Sequence, residues 1–281
     1  MAEVETNKKQ FREKKPQGLD IILVFIAIFI IISISLKAIL YVDTNYDTWW
    51  YHLPFAARIW VIIPVEKFMS DLTIQYRFAG FPLLAHWLQG LLWFITGRVQ
   101  AANLVCFFSL IIYIVFLKTN FRVPLYLSTI SLLAITLVLT HVTSCYVDLP
   151  GNIGISILIM MTYLLIIGTE MPSQRSAIVM TLGAATAANI KPQLQPLTFL
   201  ICCVVGLRLL WLYFKKSSTP KPKLSKVLPT VLLASCLIFA TPIKNTVLHG
   251  NPFYPIKIEL AGIILKHQLV PKTYQQGNRP Q

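Results

Sequence analysis

Eight long apolar runs constrain the fold of this chain more than any other feature. The first covers residues 19–40, and the others lie at about 80–96, 99–117, 122–141, 149–168, 176–190, 194–214 and 227–244. At about 1.5 Å per residue, some 20 helical residues span the ~30 Å hydrocarbon core of a bilayer. Only 13% of the residues are charged, against about 25% in soluble domains. The sequence therefore predicts an all-α, polytopic membrane protein.

The distribution of charge argues against a nucleic-acid partner. The net charge is +14, yet the lysines and arginines lie mainly in short loops between the apolar runs. A nucleic-acid-binding protein collects its cations on one face. Membrane topology explains this pattern better, because cytoplasmic loops carry an excess of Lys and Arg.

The same loop charges predict how many runs cross the membrane. The basic segment 1–18 is expected to be a cytoplasmic tail. If all eight runs crossed, the basic loops at 118–122 and 215–226 would be external. Removing the run at 81–96 makes both loops cytoplasmic. That run is short, interrupted by Pro82 and rich in Trp, which favours an interfacial or re-entrant helix.

Seven transmembrane helices then form a module over residues 19–244, with interfacial helices in an external loop at 42–98 and an external tail at 245–281. The helix at 176–190 is rich in Gly and Ala and ends at a Lys-Pro pair, which breaks it at the membrane surface. This topology places several charged residues on the external side together: Asp43, Asp47, Asp148 and Lys191.

The stretch at 43–60, DTNYDTWWYHLPFAARIW, is the main candidate for a functional site. Carboxylates at a membrane edge are costly unless something pairs or uses them. Pro54 suits the first turn of a short helix lying in the interface, with Asp47 just ahead of it at the water boundary.

An enzyme that moves a group from a membrane-bound donor needs a carboxylate base, cations for a departing phosphate and an apolar groove for the lipid. Asp47 and Asp148 are the predicted catalytic acids. Asp43 and His86 are candidate ligands of a divalent cation. The residues predicted to bind substrate or its phosphate are Tyr51, His52, Arg58, Arg77 and Lys191.

Each candidate also has a structural interpretation. Asp47 and Asp148 precede helices and are residues of the type that caps them. Lys191 can snorkel to the interface, and the two arginines can contact lipid headgroups. His52 and His86 can be ordinary interfacial residues.

Several elements in order resemble the glycosyltransferase C superfamily, in the branch of protein O-mannosyltransferases and lipid A aminoarabinose transferases. They are an external D-x-x-x-Y motif at Asp47 to Tyr51 followed by HLP, an external Asp148 before a helix, a small-residue helix ending at Lys191 and Pro192, and the GNPFYP element at 250–255. The resemblance covers nearly the whole chain.

This resemblance implies an integral enzyme of the plasma (inner) membrane that transfers a sugar from a polyprenyl-phosphate donor on the periplasmic or external face. It implies that Asp47 is the catalytic base, that Tyr51 belongs to the same motif, and that Asp148 and Lys191 match the second acid and the lysine at the broken helix. It also implies inversion at the anomeric carbon and, in many members, a divalent metal.

The chain departs from the family in two respects. An acid pair that is often adjacent is here Asp47-Thr48, with Asp43 four residues earlier. Family members also continue beyond this point with further membrane helices, which predicts a truncated form, half of a split protein that needs a second membrane chain, or a silent relative. A transporter and a non-catalytic scaffold subunit are the alternative functions, because transporters also use broken helices and membrane-edge charges.

Overall fold

The structure is a computed structural model that describes residues 18–64, 72–215, 224–257, 259–260 and 263–265. The predicted basic tail, apart from Gly18, lies outside the described residues. So do residues 216–223 of the predicted basic loop and the last residues of the predicted tail, from 266 onward.

The described part of the chain is helical except for one very short β-hairpin, as the sequence predicts. Its helices are α1 (Gly18–Leu40), a π-helical turn (Thr48–His52), α2 (Leu53–Ile59), α3 (Leu72–Gly80), α4 (Leu84–Thr96), a 3-10 turn (Val99–Asn103), α5 (Leu104–Phe121), α6 (Leu125–Leu133), α7 (Thr136–His141), α8 (Asp148–Ile167), α9 (Gln174–Ile190), α10 (Leu194–Phe214), α11 (Leu224–Ile238) and α12 (Ala240–His249). Strand β1 (Glu259–Leu260) pairs antiparallel with β2 (Ile263–Ile264).

Four helical segments of the described residues are long and apolar enough to cross a membrane: Gly18–Leu40, Val99–Phe121, Asp148–Ile167 and Leu194–Phe214. Two bent pairs raise the number to six if each is one span. The pair Leu72–Gly80 and Leu84–Thr96 bends by 100°, and the pair Val231–Ile238 and Ala240–His249 bends by 69°. The protein is therefore a helical integral membrane protein, with four to six candidate spans in the described part of the chain.

Three of the seven predicted spans take a different form in the structure. One is the run at 227–244, which contains the 69° bend between Val231–Ile238 and Ala240–His249. The run at 122–141 is split into α6 and α7, because Ile135 adopts an extended conformation with φ −79° and ψ 109°. No Pro or Gly marks this break, so the sequence reads as one continuous run. The run at 176–190 becomes α9, whose 17 residues span only about 26 Å.

Long-range hydrogen bonds show which helix ends lie together. The Asn103 side chain donates to the Tyr41 carbonyl, 2.9 Å away, and the Cys145 amide donates to the Asp43 carboxylate, also at 2.9 Å. We call this end of the bundle the site end. At the opposite end the Tyr126 hydroxyl donates to Asp20. Residues 41 and 103 therefore lie at the same end of the bundle. Between residues 103 and 145 the chain crosses to the opposite end and returns to the site end.

Close packing of α8 against α9 fixes the start of α8 beside the end of α9. A Cβ atom at Gly154 would lie 2.8 Å from the Ala187 amide nitrogen, and one at Gly183 would lie 3.1 Å from the Gly154 carbonyl. Small residues allow membrane helices to approach this closely. The Gly- and Ala-rich composition of the run at 176–190 is thus explained by helix packing that brings Lys191 to the site end.

Candidate functional site

An ion pair joins the start of α8 to the end of α9 at the site end. Lys191 directly follows α9 as its C-cap, where its extended backbone leads into Pro192, and Asp148 is the first residue of α8. The Lys191 ammonium group donates to Asp148 Oδ1, and both side chains are about three-quarters buried. The N-cap of α8 is Val147, and within the described residues the Asp148 carboxylate is engaged by Lys191 alone. The structure thus pairs these two predicted site residues with each other, in place of the capping and snorkelling interpretations.

The carboxylate of Asp47 is available for chemistry. Asp47 lies half-buried immediately before the π-helical turn Thr48–His52, and it makes no side-chain capping bond to that turn. Within the described residues the carboxylate has no hydrogen-bond or ion-pair partner. A half-buried carboxylate without a partner is suited to accept a proton from a substrate hydroxyl.

The pKa of Tyr51 responds to the charges of both Asp47 and Asp148. Burial, together with the negative charges of Asp47 and Asp148 and against a lowering effect of Arg77, raises the pKa of the Tyr51 phenol to about 12. The hydroxyl therefore stays protonated at neutral pH and can donate a hydrogen bond. Three predicted site residues, Asp47, Asp148 and Arg77, thus act on the pKa of a fourth, Tyr51.

The two predicted arginines occupy different places. Arg77 on α3 lies over the Trp50 ring, 5.2 Å from its centroid, and its positive charge has a lowering effect on the pKa of Tyr51. Arg58 on α2 lies over the Phe78 ring at 4.2 Å. Arg77 therefore joins the cluster around Tyr51, whereas the nearest described contact of Arg58 is an aromatic one.

His52 and His86 form a buried pair. His52 Nδ1 and His86 Nε2 are 2.9 Å apart, and their rings are stacked. Burial, helped by the charge of Lys191, lowers the pKa of His52 to about 3. A neutral, fully buried imidazole does not neutralise a phosphate, so this geometry favours a positioning role for His52 over the predicted direct contact with phosphate. The other ring nitrogens, His52 Nε2 and His86 Nδ1, are buried and have no hydrogen-bond partner among the described residues.

Asp43 is a structural residue in this arrangement. It is 3% exposed, and its carboxylate accepts hydrogen bonds from the Asn45 amide and side chain, from the Thr48 hydroxyl at 2.5 Å and from the Cys145 amide. Asp43 thereby fastens the segment after α1 to the loop before α8.

A divalent cation does not fit the predicted ligands. The carboxylate oxygens of Asp43 are occupied by four donors, and His86 Nε2 is hydrogen-bonded to His52. Across the described residues no group of three or more His, Cys, Asp or Glu side chains is arranged to hold a metal ion. No metal ligand is therefore assigned to Asp43 or His86.

The structure also adds residues that the sequence did not single out. Tyr146, two residues before Asp148, packs edge-on against His52 with a ring separation of 5.7 Å. Gln89 is fully buried in α4 and donates to the Cys145 carbonyl at 2.7 Å, and its Oε1 has no partner in the part of the chain that the structure describes. A polar residue inside an apolar run is the signal that marks Gln89 in the sequence. Nothing local distinguishes Tyr146 from an interfacial tyrosine.

An apolar cavity of about 430 Å³ lies beside the Lys191-Pro192 break. It is lined by Phe81, Pro192, Gln193, Pro196, Phe253 and Ile256. Phe253 comes from the GNPFYP element, which Asn245 holds at the end of α3 by donating to the Gly80 carbonyl at 2.8 Å and more weakly to the Tyr254 carbonyl. The element thus lies at the site end, together with the acids and Lys191.

Comparisons of the chain with protein families, with curated proteins and with solved structures found no match.

Proposed function

We propose that this protein is a membrane glycosyltransferase that moves a sugar from a polyprenyl-phosphate donor to an acceptor on the non-cytoplasmic face. The observation that carries the proposal is a convergence at one end of the bundle, beside an apolar cavity. It brings together Asp47, which has no partner among the described residues, the protonated Tyr51, Arg77 and the Asp148–Lys191 pair. The resemblance in motif order is its second support.

In the proposed reaction, Asp47 takes the proton of an acceptor hydroxyl. The acceptor oxygen then forms a bond to the anomeric carbon while the bond between that carbon and the donor phosphate oxygen breaks. Polyprenyl phosphate leaves with the electron pair and one more negative charge. Positioned carboxylates and cations are the groups that such a displacement needs, since little other covalent chemistry is required of the protein.

Lys191 and Arg77 would stabilise the departing phosphate. A lysine ammonium group has three donors, and one of them is engaged by Asp148. Two donors therefore remain for phosphate oxygens while Asp148 fixes the position of the charge. Tyr51 would donate a hydrogen bond to the donor or acceptor from its protonated hydroxyl.

The proposed topology has seven crossings with a cytoplasmic N-terminus. Its support is that α6 and α7 together return the chain from the end that holds Tyr126 to the end that holds Cys145, and that α11 ends against Asn189 through hydrogen bonds of 2.8 and 3.1 Å. The positive-inside rule then makes the site end external.

The test uses the purified full chain in nanodiscs with a panel of radiolabelled polyprenyl-phosphate hexoses and pentoses, each incubated with a mixed peptide and lipid acceptor fraction. We expect transfer or slow hydrolysis of one donor. Asp47→Asn should keep donor binding, measured as a thermal shift, and lose about 100-fold or more in rate, the usual contribution of a general base. Lys191→Ala should weaken donor binding.

Glu170→Gln is the matched control, because Glu170 is an acid in the loop at the opposite end of α8. Its rate should equal that of the wild type. Unchanged turnover in Asp47→Asn would remove the base assignment. Absence of both turnover and donor-induced stabilisation across the panel would overturn the proposed function, and solute flux in liposomes would then favour a transporter.

A further inference from the structure

A second cavity forms a groove on the lipid-facing side of the bundle, from Pro150 near the start of α8 to Arg175 near the start of α9. Its volume is about 390 Å³. Helices α5 and α9 both pack against α8 but stand apart from each other, so α8 is the floor of the groove and α5 and α9 are its walls. The lining includes Ile112, Phe116, Ile153, Ile157 and Leu182, with Arg175 at one end.

The groove has the length of part of an acyl chain. On α9 it extends from Thr186 to Arg175, and on α5 from Ser109 to Asn120, which is 11 positions or ~16 Å in each case. This is about half of the hydrocarbon thickness of a bilayer. Two walls of equal length show that the groove runs parallel to the helices, the direction in which a lipid tail lies.

The end of the groove away from the candidate site is cationic and polar. Arg175 is exposed, and among the described residues its guanidinium group has no ion pair, hydrogen bond or aromatic partner. Thr119 and Asn120 line the groove at the same end. An arginine with free donors at the mouth of an apolar groove is complementary to a lipid phosphate, which guanidinium binds in a bidentate manner.

The cationic end of this groove is far from the proposed donor site. Arg175 and Lys191 are 16 positions apart along α9, which is about 24 Å. A phosphate held at Arg175 therefore lies in the opposite leaflet from the Asp148–Lys191 pair. We propose that the groove between α5, α8 and α9 binds one anionic glycerophospholipid, with an acyl chain along α8 and the phosphate at Arg175.

The proposal is tested by native mass spectrometry of the full chain, delipidated in detergent and titrated with dioleoyl phosphatidylglycerol or dioleoyl phosphatidylcholine. We expect one phosphatidylglycerol to be retained at least fivefold more strongly than phosphatidylcholine. Arg175→Gln removes the cation and Leu182→Trp fills the groove, so each should reduce retention at least fivefold. Millimolar inorganic phosphate should not displace the lipid, because free phosphate can contact Arg175 but cannot fill the apolar groove.

Two matched controls separate a specific site from general lipid coating. Arg98→Gln removes an exposed arginine at the site end, and Leu207→Trp enlarges an exposed residue of α10 outside the groove. Both should retain phosphatidylglycerol within twofold of the wild type, and all four variants should keep the wild-type melting temperature within a few degrees.

Equal loss in the control variants, or full retention by Arg175→Gln, would overturn the proposal in favour of an unspecific lipid layer. Displacement of the phospholipid by an equimolar polyprenyl phosphate would also overturn it, because the groove would then belong to the donor. Neither result depends on whether the protein transfers a sugar.

Discussion

At the scale of single residues, the three carboxylates of the candidate site differ in their hydrogen-bond and ion-pair partners. Asp43 and Asp148 are both occupied, the first by four hydrogen-bond donors and the second by Lys191. Asp47 has no described partner. Three carboxylates at one end of the bundle therefore have three different roles: one holds the loops, one fixes a cation and one is available to accept a proton.

The Asp148–Lys191 pair should show a measurable coupling energy. Because both side chains keep 27–28% of their exposure, we expect about 1 kcal/mol, near the upper end for accessible ion pairs. The measurement is a double-mutant cycle with Asp148→Asn, Lys191→Met and the double variant, followed by unfolding in mixed micelles. Asp20→Asn combined with Lys191→Met is the control, since Asp20 lies at the opposite end and the two effects should add. Coupling of the same size in both cycles would contradict the pairing.

The buried histidine pair should make stability depend on pH. In the unfolded chain a histidine takes up a proton near pH 6.5, whereas burial lowers the pKa of folded His52 to about 3. The stabilisation is therefore complete above about pH 6.5 and is lost as the pH falls from there towards 3, at up to about 1.4 kcal/mol per pH unit. Thermal unfolding between pH 8 and 4.5 measures the slope. His52→Gln should flatten it, and an identical slope in the variant would exclude His52 as its source.

At the scale of secondary-structure elements, glycine determines how closely α8 and α9 pack. Gly154→Ala would place a methyl group 2.8 Å from the Ala187 backbone, which must separate the two helices. We expect a loss of about 1–3 kcal/mol, as in other overpacked interiors, together with a weaker Asp148–Lys191 pair. Gly206→Ala is the matched control, because nothing lies within 4 Å of its new Cβ. If the two variants unfold at the same temperature, the close approach of the helices is not present in the protein.

Hydropathy predicted the long elements well and the site only partly. The bounds of α1, α8, α10 and of α5 with the 3-10 turn before it fall within a few residues of the apolar runs, because length and composition determine a span locally. The shared end of Asp148 and Lys191 followed from counting crossings. The His52–His86 contact, the burial of Asp43 and the break at Ile135 depend on neighbours distant in sequence. Local patterns do not contain that information.

At the scale of the whole molecule, the fold places two phosphate-compatible regions at opposite ends of α9. Lys191 faces the candidate site, and Arg175 faces the proposed lipid groove. Both regions depend on α8, which supplies Asp148 to one and the floor to the other. A shift of α8 along α9 would therefore disturb both regions together. Because the two regions lie at opposite ends of α9, the orientation of the bundle in the membrane decides which leaflet each of them faces.

That orientation is testable by cysteine labelling of intact cells. Tyr46→Cys introduces a thiol at a 71% exposed position of the site end, and Asn120→Cys introduces one at the opposite end. A membrane-impermeant maleimide should label position 46 from outside and leave position 120 unlabelled until the cells are opened, after subtraction of the signal from the five native cysteines. The reason is the positive-inside rule, which makes the end with Lys118 and Arg122 cytoplasmic. Labelling of position 120 in sealed cells would invert the proposed topology and place the candidate site in the cytoplasm.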